Sequence, residues 1–123
     1  MQYSAMYKLI LEKGVDNVDL PQSIAVQVFT EAGILLAKEN HFSESAKALA
    51  KANNQEELIR LGNYFSKQGR FSVASYYFYH STDEEIIESS AFRCLENGYY
   101  DDSKKLFAKL GRTDMLAFIE ANT

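Results

Sequence analysis

Apolar residues along this chain recur at helical spacing, and the pattern restarts three times. From Val28 the positions Val28, Phe29, Ala32, Gly33 and Leu36 form the i, i+3, i+4, i+7 stripe of a half-buried helix. The same sequence of large, small and large residues returns at a spacing of 29, so that Phe29, Leu58 and Ile87 share one column, continued by Leu116. Gly33, Gly62 and Ala91 share a second column, and Leu36, Phe65 and Cys94 a third. Phe42, Phe71 and Tyr100 form a fourth and Leu49, Phe78 and Phe107 a fifth. A period of this size marks a repeat array, in which no unit buries its apolar face alone and neighbours must stack.

The pattern predicts helices almost throughout. A first helix runs from Tyr3 to Lys13 and is stopped by Gly14, and Val15 to Leu20 is an irregular connector. Asp19 with Gln22 reads as a capping box around Pro21, and the helix that follows runs to about Glu39. Ser43 caps a shorter helix ending near Ala52. Asn54 with Glu57 caps the next long helix, Gly69 ends it and Ser72 starts its short partner. Thr82 with Glu85 caps the third long helix, Gly98 ends it, and Asp101 opens a short helix closed by Gly111. Asp114 to Ala121 forms a last helical segment. Asn40, Gly69 and Gly98 fall where the chain must reverse within about three residues, which calls for one residue in the left-handed region. Glycine inside a helix costs on the order of 1 kcal/mol. A whole column of small residues therefore predicts that paired helices cross closely there.

Composition narrows the class. The chain has 123 residues, enough for one domain with a modest core, and its 46% apolar and 24% charged content is that of a folded protein. One proline and six glycines argue against an all-β fold. A net charge of −4 gives no electrostatic reason to expect nucleic acid, and an RNA-reading helical repeat would want a basic groove. The single cysteine excludes an intrachain disulfide and fits a reducing compartment. No apolar run approaches the length of about 18 residues that spans a bilayer, and the amino terminus lacks a signal-peptide pattern. The expected location is cytoplasmic, with no membrane insertion.

The columns resemble the tetratricopeptide repeat family of helix–turn–helix units. Its large apolar residue, its apolar–small pair and its aromatic match Phe29, Ala32-Gly33 and Leu36. They match again at Leu58, Leu61-Gly62 and Phe65, and at Ile87, Ser90-Ala91 and Cys94. The family's turn matches Gly69-Arg70-Phe71 and Gly98-Tyr99-Tyr100, with Asn40-His41-Phe42 a looser version. In the second helix Ser45 with Leu49, Ala74 with Phe78, and Ser103 with Phe107 take the small and aromatic places. The period is shorter than the family's roughly 34 residues, and the proline that often ends a unit is missing. Shortened units of this kind are also similar to the α-solenoid arms of vesicle-coat and ciliary-transport proteins. The resemblance implies a single all-α domain over residues 1–123. It would be a right-handed α-solenoid of about three helix–turn–helix repeats with an extra helix at each end.

Little in the chain carries chemistry. His41 and His80 are isolated and lack a metal-binding spacing, and Cys94 falls on a core column. The acidic groups Glu56-Glu57, Asp83-Glu84-Glu85 and Asp101-Asp102 sit at helix starts, where carboxylates favour the positive end of the helix dipole. No catalytic, cofactor or metal site is expected. Two surfaces are candidates for binding a protein or peptide. The resemblance implies a concave groove lined by the first helix of each pair. That places Gln27, Thr30, Glu31, Ile34, Ala37 and Lys38 in it from the first unit, and Glu56, Ile59, Arg60, Asn63, Ser66 and Lys67 from the second. The third gives Glu85, Glu88, Ser89, Phe92, Leu95 and Glu96. Of these, Lys38, Arg60, Asn63 and Lys67 suit an acidic segment. It does not reproduce the carboxylate clamp of chaperone-binding members, because Ile34 occupies one asparagine place. The second surface is the strip Tyr76, Tyr77 and Tyr79, of which at least one ring is expected to be exposed, since one helix side cannot bury them all beside Phe78. The function expected is that of a non-catalytic interaction scaffold. The alternative is a structural segment that stacks or self-associates through its ends, because Met115, Leu116, Phe118 and Ile119 put more apolar surface on the last helix than one neighbour is expected to cover.

Overall fold

The computed structural model describes residues 3–123, which form eight α-helices and one 3-10 turn, with no strand among them. In chain order the helices are α1 (Ser4–Lys13), α2 (Gln22–Lys38), α3 (Phe42–Lys51), α4 (Gln55–Lys67), α5 (Phe71–Phe78), α6 (Glu84–Glu96), α7 (Tyr100–Lys109) and α8 (Thr113–Asn122). The chain divides into two compact units, Met1–Leu58 and Ile59–Thr123, and the boundary falls inside α4.

In the first unit α2 buries the stripe Val28, Phe29, Ala32, Gly33 and Leu36, as the periodicity predicts. It lies antiparallel to α3: Gly33 meets Ser45 and Leu49, while Phe29, one turn earlier, lies under the Lys51 ammonium. Ile10 from α1 and Val15 and Val18 from the connector complete this core. The connector is irregular but held in place. Its 3-10 turn, Val15–Asn17, donates the Val15 backbone N–H to the Glu44 carboxylate on α3 at 2.9 Å. Lys47 pairs with both Glu44 and Asp16.

In the second unit Ile87, Ala91, Cys94, Leu106, Phe107 and Ile119 form a core between α6, α7 and α8. Helix α5 is covered from two sides. Phe78 lies against Gly62 of α4, Tyr77 stacks on Phe65, and α5 also packs against α6. The apolar end proposed for α8 is corrected here. Ile119 is fully buried within its own unit, Met115 and Leu116 are half-buried against the same core, and Phe118 is left 53% exposed.

The reversals repeat residue by residue. Asn40, Gly69 and Gly98 take positive φ of 66°, 75° and 83°. The following N–H groups of His41, Arg70 and Tyr99 then donate to the carbonyls of Leu36, Phe65 and Cys94 at 2.9, 3.0 and 2.9 Å. This 6→1 backbone bond closes each helix end without a side chain. It also corrects the cap expected at Ser43 and moves the starts expected at Ser72 and Asp101 by one residue. The short helices begin at Phe42, Phe71 and Tyr100, one residue ahead of Ser43, Ser72 and Asp101. His41, Arg70 and Tyr99 hold the N-cap positions with no side-chain capping bond.

Two more caps differ. Pro21, not Asp19, occupies the N-cap of α2, with no side-chain bond. At α6 the cap is Asp83, whose side chain accepts from the Glu85 N–H at 3.0 Å, in place of Thr82. Asn54 caps α4 as expected, accepting from the Glu57 N–H at 3.1 Å. The change at Thr82 has a physical cause. Asn53 and Gly111, which share its column, adopt positive φ of 52° and 69° and follow helices of ten residues, α3 and α7. A β-branched threonine is strongly disfavoured at positive φ. Helix α5 accordingly stops after eight residues, at Phe78, and the chain reaches Asp83 by a longer path.

The small-residue column does what its spacing predicts. A Cβ on Gly33 would stand 2.6 Å from Leu49 Cγ, and one on Gly62 would stand 2.4 Å from Phe78 Cε1. The approach lets the facing helix reach the backbone. Ser45 Oγ donates to the Gly33 carbonyl at 2.7 Å, and Ser103 Oγ donates to the Ala91 carbonyl at 2.9 Å. Gly62→Leu should therefore destabilise the protein by about 1–3 kcal/mol through overpacking. Gly62→Ala should fail to gain the roughly 1 kcal/mol that alanine brings to an open helix site. Urea unfolding of both variants measures this, and a stabilised Gly62→Ala would contradict the close approach.

Candidate functional site

Between Leu58 and Thr82 the chain carries no aspartate or glutamate, although it holds Arg60, Lys67 and Arg70. The chain's net charge is −4, so this acid-free run, which forms most of α4 and all of α5, is its most basic stretch. The run borders a cleft of about 310 Å³ in the second unit, between α4 and α6. Helix α4 supplies Ile59, Asn63 and Ser66 at i, i+4, i+7, and α6 supplies Ile86, Ser89, Ser90 and Arg93 at i, i+3, i+4, i+7. Phe71, Ala74 and Phe78 of α5 form the floor.

The two walls owe their placement to packing behind them. Gly62 lets α4 settle onto Phe78, so Asn63 and Ser66, on the neighbouring face, turn toward the cleft. On α6 the core residues Ile87, Ala91 and Cys94 leave Ile86, Ser89, Ser90 and Arg93 on the cleft side. The Arg93 guanidinium lies over the Phe71 ring, 5.2 Å from its centroid. Three of the four carboxylates of α6 serve another side. Glu84, Glu85 and Glu88 line a smaller hollow of about 190 Å³ with Leu110 and Arg112. There Arg112 Nη1 approaches Glu88 at 2.6 Å, and Arg112 also binds Asp114, whose carboxyl it holds below the usual range.

The residues expected from sequence are dispersed over several surroundings. Asn63 lines the cleft, while Arg60 and Lys67 are exposed on α4 and are not among its lining. Lys38 is exposed at the end of α2, in the other unit. Phe92 is half-buried, its ring edge-on to Phe107 at 5.1 Å, so it belongs to the α6–α7 packing. Of the tyrosine strip, Tyr77 is corrected: it is 0% exposed and stacks on Phe65 at 5.8 Å, which removes it from any surface. Tyr76 is half-buried, and Tyr79 is 37% exposed. The ammonium of Lys109 sits 4.3 Å above the Tyr79 ring and donates to the Tyr79 carbonyl, and burial pulls its pKa down.

Sequence reasoning missed Arg93, Ile86 and Ser90. Arg93 shares its column with Leu35 and Tyr64, so the repeat alignment offered nothing basic there. The spacing of Ile86, Ser89, Ser90 and Arg93 along one helix side was the available signal.

Comparison with family models, curated proteins and solved structures finds no match for this chain.

Among the described residues no three His, Cys, Asp or Glu side chains come together as a metal-holding group. No helix of the described residues is long and apolar enough to cross a membrane. Cys94 is buried, with its sulfur 3.6 Å from the Phe71 carbonyl oxygen. Burial, assisted by the charge of Asp102, pushes its thiol up to about 11. Since the thiolate is the nucleophile, alkylation of the folded protein should stay slow at pH 8 and accelerate only as pH approaches 11. In denaturant the same thiol should react with an ordinary profile centred near pH 8.5, as about expected for an exposed cysteine. Rapid alkylation of the native chain at pH 8 would contradict this placement.

Proposed function

We propose that this all-α protein is a non-catalytic, tetratricopeptide-like interaction scaffold. In this reading its helices form a single right-handed array, and the α4–α6 cleft receives a segment of a partner protein. The observation that carries the reading is the cleft itself. Its walls, Ile59, Asn63 and Ser66 on one side and Ile86, Ser89, Ser90 and Arg93 on the other, put a few polar groups around an apolar floor. Protein-binding and ligand-binding concavities share this composition, the apolar surface supplying affinity and the polar groups orientation. Asn63 offers both a donor and an acceptor, the pair needed by a backbone amide. The single cysteine, buried as a thiol, agrees with a cytoplasmic placement.

The competing reading, a structural segment that self-associates, retains one observation, the exposed Phe118 on α8. With Ile119, Leu116 and Met115 turned inward, a single ring is a small surface for a stable interface.

A cleft-filling substitution separates the two. Ser89→Trp should abolish capture of the partner from a source lysate without changing helicity or melting temperature, because Ser89 is exposed at the cleft and its side chain has room to grow outward. Arg60→Glu with Lys67→Glu should slow association and flatten its salt dependence with less effect on dissociation, as expected for exposed charges flanking a site. Phe118→Asp should leave capture intact. Loss of capture in Phe118→Asp, with Ser89→Trp unaffected, would overturn the cleft as the binding surface.

A further inference from the structure

We propose that the α4–α6 cleft selects an acidic protein segment, an apolar side chain seating on the α5 floor while a neighbouring Asp or Glu carboxylate pairs with Arg93. This rests on the reading of the cleft as a peptide site and names the chemistry of its occupant. Three observations point to it. First, no carboxylate is found among the described residues that line the cleft, and Arg93 is the cation among them. Second, the wall and floor formed by α4 and α5 come from the acid-free run between Leu58 and Thr82, which carries Arg60, Lys67 and Arg70. Third, α6 turns three of its four carboxylates away from the cleft, and the fourth, Glu96, is exposed at the helix end and is not part of the cleft lining. Glu84, Glu85 and Glu88 line the hollow with Arg112, and Ile86, Ser89, Ser90 and Arg93 line the cleft. An overall acidic chain thus presents an opening free of its own carboxylates.

Arg93 is suited to the task by its place over the Phe71 ring. A guanidinium resting on an aromatic face keeps its in-plane N–H donors for a carboxylate, which it can grip with two parallel hydrogen bonds. The contact with the ring also limits the side-chain freedom lost on binding. Phe71 therefore links the two halves of the specificity, as floor for an apolar group and platform for the cation. A basic segment would be repelled by Arg93 and find no carboxylate in the lining to pair with, and a neutral one would lose the paired interaction.

The test is a selection of short randomised peptides displayed against the immobilised full chain, with recovered sequences resynthesised and titrated by fluorescence anisotropy. The expected result is enrichment of Asp or Glu next to Leu, Ile, Met or Phe. Arg93→Glu should weaken such a peptide by about tenfold or more, and Lys105→Glu, an equal charge change on the exposed face of α7, by less than about twofold. If Arg93→Glu melts early, Ser89→Glu serves instead, because it puts a carboxylate one helical turn ahead of Arg93 and should compete for it. Recovered peptides that are neutral or basic, yet blocked by Ser89→Trp, would overturn the acidic selectivity and leave the peptide-binding reading standing. Recovery of no peptide would overturn both. A single-stranded oligonucleotide that binds more tightly than the recovered peptides and is lost in Arg93→Glu would overturn the proposal in favour of a nucleic acid.

Discussion

The close approach of paired helices at the small-residue column is the constraint on which the rest of this structure depends. Gly33 admits Leu49, and Gly62 admits the Phe78 ring, at distances where even one added methyl group would collide. Glycine in a helix is unfavourable by itself, so the column persists because of what it allows. With the helices this near, Ser45 and Ser103 reach carbonyls on the facing helix, and these buried hydroxyls are satisfied without water. The same proximity fixes the tight reversals, since helices that touch about two turns from their junction leave space for only a left-handed residue and a 6→1 backbone bond.

Within the second unit this constraint also shapes the cleft. Sinking Phe78 against Gly62 draws α5 down between α4 and α6, and the apolar floor is what remains visible of it. The walls keep polar residues because their core sides are already committed, α6 through Ile87, Ala91 and Cys94. Charge is then divided around α6: Glu84, Glu85 and Glu88 gather with Arg112, Glu96 stays exposed at the helix end, and Arg93 is left at the cleft over Phe71. A binding function is thus proposed for a surface that is a by-product of packing, made specific by which residues packing does not consume.

Much of the helical architecture was legible in the sequence because it is written three times. The α2 stripe, the positive-φ residues at 40, 69 and 98 and the buried columns through Leu49, Phe78 and Phe107 all follow from periodicity and turn chemistry. Caps were less legible. Where Asn40, Gly69 or Gly98 reverses the chain, a backbone bond closes the preceding helix and the next begins at once at Phe42, Phe71 or Tyr100, with no side-chain cap. Thr82 broke the repeat at a position where the pattern expected continuity, because its branched side chain resists the conformation of Asn53 and Gly111. The candidate site was only half legible. A one-sided stripe assigns Tyr77 to the surface, but α5 is covered by α4 and α6 together and buries both Tyr77 and Phe78. Arg93 and the apolar floor emerge only when helices distant in sequence are set side by side.

The most direct measurement of the central claim is an isotope-filtered nuclear Overhauser experiment on the protein bound to a captured peptide, with the isoleucine methyl groups labelled. The account predicts intermolecular contacts from Ile59 of α4 and Ile86 of α6, which both line the cleft with Phe71, Ala74 and Phe78. Contacts absent from both isoleucines and found instead at the rings of Tyr79 or Phe118 would contradict it.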